Sequence, residues 1–165
     1  VIGSFETVIA TSPVVVFFQS MVLGMSGNVG TQSLAVTIRN LASGESKKKL
    51  LKSILKEIGV GLINGLIIAV ISFLFVMCYL FITKQEIVGG NSYNVHDSVK
   101  VSLIIASSML IAMTVSNLIG AIFPIILSKL HIDPAVASGP FITTINDIVS
   151  IVIYYGLTYL LFIAL

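Results

Sequence analysis

Four long apolar segments are the feature of this sequence that most restricts its fold. Polar residues separate them, and each reaches the length of about 20 mainly apolar residues that a helix needs to cross a bilayer. The chain is 56% hydrophobic and 10% charged, against about 45–50% and 25% in a soluble domain. This composition excludes a soluble globular domain and a disordered chain. It predicts an all-α integral membrane protein.

Polar residues and helix-start signals set the boundaries of the four segments. The sequence predicts one transmembrane domain over residues 1–165, with spans at 13–43, 58–83, 101–127 and 134–165. A residue that can cap a helix precedes a proline at Ser12-Pro13 and at Asp133-Pro134, and these pairs are typical of helix starts. Residues 1–12 are too few to cross and are interpreted as the end of an earlier helix followed by an external loop. The prediction is therefore a helical bundle with four complete spans.

Lysines between the first and second spans predict how the chain lies in the membrane. Basic residues near helix ends resist translocation, so we expect the 44–57 loop to be cytoplasmic. Alternation of the spans then places the C-terminal Leu165 outside. We interpret the lysines as this orientation signal rather than as a contact for anionic lipid or a cytosolic domain. They are Lys47, Lys48, Lys49, Lys52 and Lys56.

Several functional classes are excluded by charge and by missing motifs. Nine Lys and Arg against seven Asp and Glu give a net charge of only +2, which is too small and too scattered for a nucleic-acid surface. The single cysteine, Cys78, permits no intrachain disulfide. Neither histidine lies near another ligand at metal spacing, and no nucleophile has a base at a recognisable spacing. We therefore predict that the chain is not an enzyme.

One acidic residue, Asp147, lies in the middle of a predicted span. A charge at this depth costs about 2.5–3.5 kcal/mol on insertion scales, so such acids are candidates for function. On a helix, Pro140, Thr143 and Asp147 share a face, and Pro140 cannot donate to the carbonyl of Val136. A free carbonyl beside a carboxylate favours a cation pathway. The alternative is a proline kink packed against its neighbours, with Asp147 hydrogen-bonded for assembly.

The first span carries a face of small, weakly polar residues at helical spacing. Its members are Ser20, Gly24, Gly27, Thr31 and Ala35. Such a face either lets another helix approach closely or leaves room for a hydrated ion. Taken together with Asp147, the face favours a pore wall. In the second span, by contrast, Gly61 and Gly65 are interpreted as a helix-packing motif, as is a four-residue repeat of small residues in the third span.

The oxygen atoms on these faces restrict the ion. Carboxylate, hydroxyl and carbonyl oxygens favour Mg²⁺, Ca²⁺ or Mn²⁺ over metals that prefer thiolates. One carboxylate cannot neutralise a divalent ion, whereas two chains about a two-fold axis supply two, which predicts a homodimer. Two alternatives stay open. A proton-coupled divalent-cation antiporter would use Asp147 as its proton carrier, and a non-transporting membrane scaffold would explain only the small-residue faces.

Two sequence blocks resemble the MgtE family of magnesium channels. The first comprises residues 27–34 and 38–45, and the second comprises residues 133–135 and 138–147. The resemblance implies a five-helix membrane domain that dimerises, with an ion path along its second and fifth helices. Those helices correspond to the spans at 13–43 and 134–165.

The resemblance also assigns roles to individual residues. It implies that Mg²⁺ is the bound and transported ion, that Asp147 is the acid of the magnesium site, and that the backbone carbonyl of Thr143 faces the ion. We expect the pore to be lined by Gly24, Gly27, Asn28, Thr31, Pro140 and Thr144. Family members commonly carry cytosolic magnesium-sensing domains, which these residues do not include. The prediction is therefore a multi-pass protein of the cell membrane that transports Mg²⁺ at a homodimer axis, with a cytosolic regulatory domain as a further partner.

Overall fold

The described part of the chain is helical throughout, apart from turns. The computed structural model describes residues 5–11, 13–44, 47–84, 94–134 and 139–163. Its helices are α1 (Glu6–Thr11), α2 (Pro13–Ala42), α3 (Lys47–Thr83), α4 (Val95–Lys129) and α5 (Gly139–Thr158), and wider π-helical turns follow at Tyr159–Ile163. Helices α2 to α5 are each long and apolar enough to cross a membrane. The prediction of an all-helical chain with four long apolar helices is thus confirmed for the described residues.

The connection between α2 and α3 differs from the prediction. Helix α2 starts at Pro13, as expected, and a turn at Gly44 follows its end. Gly44 has a φ of 68° and donates from its amide to the carbonyl of Leu41 over 3.1 Å, an arrangement that glycine adopts without strain. Helix α3 already begins at Lys47, so most of the predicted 44–57 loop is helical. The reason is that residues 47–57 include good helix formers and neither Gly nor Pro.

The two later helices also depart from their predicted limits. Helix α4 starts before the predicted 101–127 span because Asn94 caps it, its side chain accepting from the amide of His96 over 3.0 Å. Helix α5 is described from Gly139. The predicted start of the fourth span at Asp133-Pro134 is followed by residues 135–138, which lie outside the described part. Those residues include Val136, whose carbonyl we expected to be free.

Helix α4 occupies the centre of the bundle, where it packs against α2, α3 and α5. Large apolar side chains such as Val22, Met109 and Tyr154 are fully buried between these helices. The outer face of α3 instead exposes apolar side chains, for example Leu66 and Phe75. In a bilayer this distribution is favourable because lipid chains solvate the outer face, so close packing and polar contacts hold the interior together.

Glycines allow the closest approaches between helices in this interior. A Cβ at Gly120 of α4 would clash with the backbone carbonyl of Gly30 on α2. Between α3 and α4, a Cβ at Gly61 would strike Asn117, and one at Gly65 would lie 3.1 Å from Leu110 Cδ1. The structure thus places both predicted packing glycines of α3 directly against α4.

Hydrogen bonds between α2 and α5 determine how these two helices are aligned. Tyr154 Oη donates to the Val15 carbonyl over 2.7 Å, Tyr155 Oη donates to Gln19 Oε1 over 2.6 Å, and the hydroxyls of Ser26 and Ser150 lie 2.7 Å apart. Early residues of α2 pair with late residues of α5, so the helices run antiparallel. Continuing this register brings Asp147 opposite Gly27.

Candidate functional site

A groove between α2 and α5 brings together most of the residues singled out in the sequence. It has a volume of about 340 Å³ and is lined by Ser20, Leu23, Gly24, Gly27, Asn28, Thr31, Thr143 and Asp147. We call it the Asp147 groove. All of these residues except Leu23 were singled out from the sequence as small-face, pore-lining or metal-site positions. The antiparallel alignment of α2 and α5 brings the two sets together.

The two glycines of α2 make room in front of the carboxylate. A Cβ added at Gly27 would lie 3.7 Å from Thr143 Cγ2 and 3.9 Å from Asp147 Oδ1, whereas one added at Gly24 would meet nothing within 4 Å. Gly27 therefore lies directly opposite Asp147, and the space widens one turn away at Gly24. With no side chain on α2 at these positions, the carboxylate faces open space.

Both threonine hydroxyls of the groove use their hydrogen on their own helix. Thr31 Oγ1 donates to the carbonyl of Gly27 over 2.8 Å, and Thr143 Oγ1 donates to the carbonyl of Gly139 over the same distance. A hydroxyl that donates in this way keeps its oxygen lone pairs for another partner. The groove wall therefore presents hydroxyl and carboxylate oxygens, which are the atoms that hard cations and their bound water prefer.

The backbone carbonyl of Thr143, which we expected to face the ion, lies within helix α5. Residues 139–158 form a continuous helix, in which the regular pattern pairs the carbonyl of Thr143 with the amide of Asp147. Such a carbonyl retains a second lone pair. The Thr143 side chain is the group that lines the groove.

Two predicted pore residues do not line the groove. Pro140 and Thr144 are exposed, and Thr144 Oγ1 donates to the carbonyl of Pro140 over 2.9 Å. Thr144 follows Thr143 by one residue, a step of about 100° around the helix, and so faces another direction. Pro140 precedes Thr144 by four residues and therefore lies on the same exposed side of α5.

Sequence reasoning missed two residues at or beside the groove. Leu23 was overlooked because it is apolar, although it lies three residues after Ser20 and four before Gly27, on the same helix face. Asn146 is fully buried about 100° around α5 from Asp147, where its amide packs against Gly30. The consecutive polar residues Asn146 and Asp147 therefore face the bundle interior and the groove, respectively.

The groove opens on the outside of the bundle and carries little charge. Ser20, Gly24 and Asn28 are exposed along its length, so one chain forms a wall rather than a closed channel. Asp147 is the only ionisable residue in its lining among the described residues. The part of the chain that the structure describes also contains no group of three His, Cys, Asp or Glu side chains that could hold a metal ion. One chain therefore offers a cation one carboxylate and neighbouring neutral oxygens.

Comparison with known proteins places this groove within a matched region. A family model described as MgtE, divalent cation transporter, matches residues 19–157. The chain is 38% identical over 162 residues to the magnesium transporter MgtE of Bacillus subtilis, covering 95% of this chain and 32% of that protein. It is 36% identical to the magnesium transporter MgtE of Enterococcus faecalis, covering 94% of this chain and 31% of that protein.

A more distant relative covers the same region. The magnesium transporter MgtE of Thermus thermophilus is 30% identical, over 98% of this chain and 32% of its own length. The chain thus spans about a third of the length of the curated relatives it matches. Together with four helices long and apolar enough to cross a membrane, these matches identify a multi-pass membrane protein.

Proposed function

This chain belongs to the MgtE family of divalent cation transporters, and we propose that it supplies one half of a pathway for Mg²⁺ across the membrane. The observation that carries the proposal is the Asp147 groove. There, a single carboxylate lies opposite a glycine, in a wall of hydroxyl oxygens. A carboxylate at this depth is costly, so its presence is best explained by a cation that it attracts.

The open side of the groove supports a homodimer as the working unit. Mg²⁺ carries two positive charges, whereas the groove of one chain holds one carboxylate. A second copy about a two-fold axis would bring a second Asp147 to the same axis and would close the groove against lipid. We therefore propose that the pathway runs between the α2 and α5 helices of two chains, driven by the ion gradient and the membrane potential.

Uptake of Mg²⁺ by liposomes that contain the purified protein tests this function directly. We expect Mg²⁺ to enter down its gradient, faster when the interior is negative, and empty liposomes give the background. Equal uptake with and without the protein would contradict the proposal. Uptake that depends on an opposing proton gradient would instead point to the antiporter.

The ion is proposed to pass Asp147 with much of its water shell. Mg²⁺ dehydrates reluctantly and otherwise demands six close oxygen ligands, far more than the groove supplies directly. We therefore expect cobalt(III) hexaammine, an inert cation of similar size to hydrated Mg²⁺, to inhibit uptake competitively. Its direct binding to the purified protein should weaken at least about tenfold when Asp147→Asn removes the attracting charge. Mg²⁺ bonded directly to several protein oxygens in an experimental structure would contradict this idea.

We also propose the orientation that the lysines predict, with the α2–α3 connection in the cytoplasm and the C-terminus outside. The exposed residues Ser43 and Val95 lie at opposite ends of the bundle. In a Cys78→Ser background, a membrane-impermeant maleimide added to intact cells should label Val95→Cys. It should label Ser43→Cys only after permeabilisation. The reverse pattern would overturn the orientation. The proposed cytosolic regulatory partner would then contact the Val95 end instead of the Ser43 end.

A further inference from the structure

A second groove lies where α2 finishes and α3 begins. It has a volume of about 360 Å³ and is lined by Asn40, Lys49, Lys52, Ser53 and Lys56. We propose that this groove, the lysine cradle, binds the phosphate of an anionic phospholipid headgroup. The inference does not depend on Mg²⁺ transport, because it concerns a different part of the surface.

The cradle collects positive charge on one face of one helix. Lys49, Lys52 and Lys56 follow each other at steps of three and four residues, so they project from the same side of α3. All three are exposed. Its lining contains no carboxylate among the described residues. The lysines therefore converge on the groove without an acidic partner in its lining.

A hydrogen bond across the cradle holds a hydroxyl group in its lining. Asn40 Nδ2 donates to Ser53 Oγ over 2.8 Å, which ties the end of α2 to the second turn of α3. The Ser53 hydroxyl accepts this bond through its oxygen, and a hydroxyl can at the same time donate its hydrogen to an acceptor such as a phosphate oxygen. An orientation signal requires only positive charge near a helix end, so the fixed hydroxyl is a feature that it does not explain.

Helix electrostatics also favours an anion at this place. The start of a helix carries partial positive charge and unpaired amides, and acidic residues normally stabilise it. Helix α3 has no acidic residue in its first turn, yet Lys49 lies in that turn and Lys52 lies in the next. An anion in the cradle would offset this unfavourable concentration of positive charge.

The height of the cradle in the bundle identifies a lipid as the source of the anion. The lysines of α3 end at Lys56 and its apolar part follows from Ile58, so we place the groove at the boundary between the hydrocarbon and water. Next to it, Leu55 is 63% exposed on the same helix, where it can contact an acyl chain. Lysine clusters directly beside a membrane span are a known means of binding anionic headgroups.

Direct binding measurements in a neutral detergent test the proposal. The probes are short-chain phosphatidylglycerol and phosphatidylcholine of equal chain length, in about 150 mM salt to screen weak surface attraction. Wild type should prefer phosphatidylglycerol at least about tenfold, and Lys49→Gln with Lys52→Gln should lose most of this preference. The matched control is Lys100→Gln with Lys129→Gln, which removes the same charge from exposed positions on α4 and should keep the preference.

Each other outcome overturns the proposal. Equal loss of the preference in both double variants would mean that total charge, not the cradle, attracts the lipid. Equal affinity for the two lipids would mean that there is no anion site. Tight binding of inorganic phosphate alone, with no gain from the lipid form, would identify a soluble anion as the ligand. A further variant, Ser53→Ala, should weaken phosphatidylglycerol binding without changing charge, which a merely electrostatic surface would not show.

Discussion

Asp147→Asn should reduce Mg²⁺ flux at least about a hundredfold while the protein still folds. A hundredfold corresponds to about 2.7 kcal/mol of lost stabilisation. Two unit charges about 4 Å apart interact by about 4 kcal/mol at an effective dielectric constant of about 20, and a divalent ion doubles the attraction. The substitution keeps the shape of the side chain but removes two charges from a dimer. Losing this attraction is therefore large enough for the expected effect, even for an ion separated by a layer of water.

Two comparison variants make this result specific. Asp97→Asn removes an acid from the first turn of α4, away from the groove, and should leave flux near the wild-type rate. Asp147→Glu keeps the charge but moves the carboxylate further from α5, and it should retain weaker transport. Membrane insertion should survive the loss of charge, since a neutral side chain inserts more easily. Near-normal flux in well-folded Asp147→Asn protein would remove the central element of the proposed function.

The faces of the groove could be predicted from the sequence because helical periodicity alone determines them. Steps of three and four residues place Gly24, Gly27 and Thr31 on one side of α2, and Thr143 and Asp147 on one side of α5. Periodicity does not give the partner of a face. That information comes from tertiary contacts.

Contacts between residues that are distant in the sequence determine how α2 and α5 are aligned. The hydrogen bond from Tyr154 to Val15 and the contact between Ser26 and Ser150 set the alignment of α2 and α5. Each joins residues that are distant in the sequence, and many other pairings of hydroxyl groups are compatible with the same sequence. The opposition of Gly27 and Asp147 was therefore not predictable from either helix alone.

The lysine segment shows a different limit of sequence reasoning. Hydropathy marks where a chain leaves the apolar region but does not reveal whether its helix continues into water. Between Lys47 and Glu57 the helix does continue, because local propensity decides the backbone there. The lysine cradle follows from that continuation, since the helix brings Lys49, Lys52 and Lys56 to one face.

The glycines of α2 divide between two tasks that their spacing does not separate. Gly27 faces the groove, whereas Gly30 faces the bundle interior, where it meets both α4 and the Asn146 side chain of α5. The contact at Gly30 is the more demanding, since a Cβ at Gly120 would meet the Gly30 carbonyl and would lie 3.1 Å from the amide nitrogen of Leu34. Both neighbours are backbone atoms, which cannot turn aside as a side chain can.

Gly120→Ala should therefore destabilise the bundle strongly, although alanine is the better helix former. The helices α2 and α4 would have to separate to admit the methyl group, and overpacking of this kind costs about 1–3 kcal/mol. For a chain of this length, that cost corresponds to a fall of about 2–12 °C in Tm, measurable by thermal unfolding in detergent.

Gly59→Ala is the matched control for this second prediction, because a Cβ there would meet nothing within 4 Å. Its Tm should stay the same or rise slightly, since alanine stabilises a helix by about 1 kcal/mol relative to glycine. The pair thus separates steric contact from helix propensity, because the two effects oppose each other at Gly120 and only propensity acts at Gly59. If both variants unfolded at the wild-type temperature, α2 and α4 would not be in close contact at Gly30 and Gly120. The position of α2, which forms one wall of the Asp147 groove, would then have to be revised.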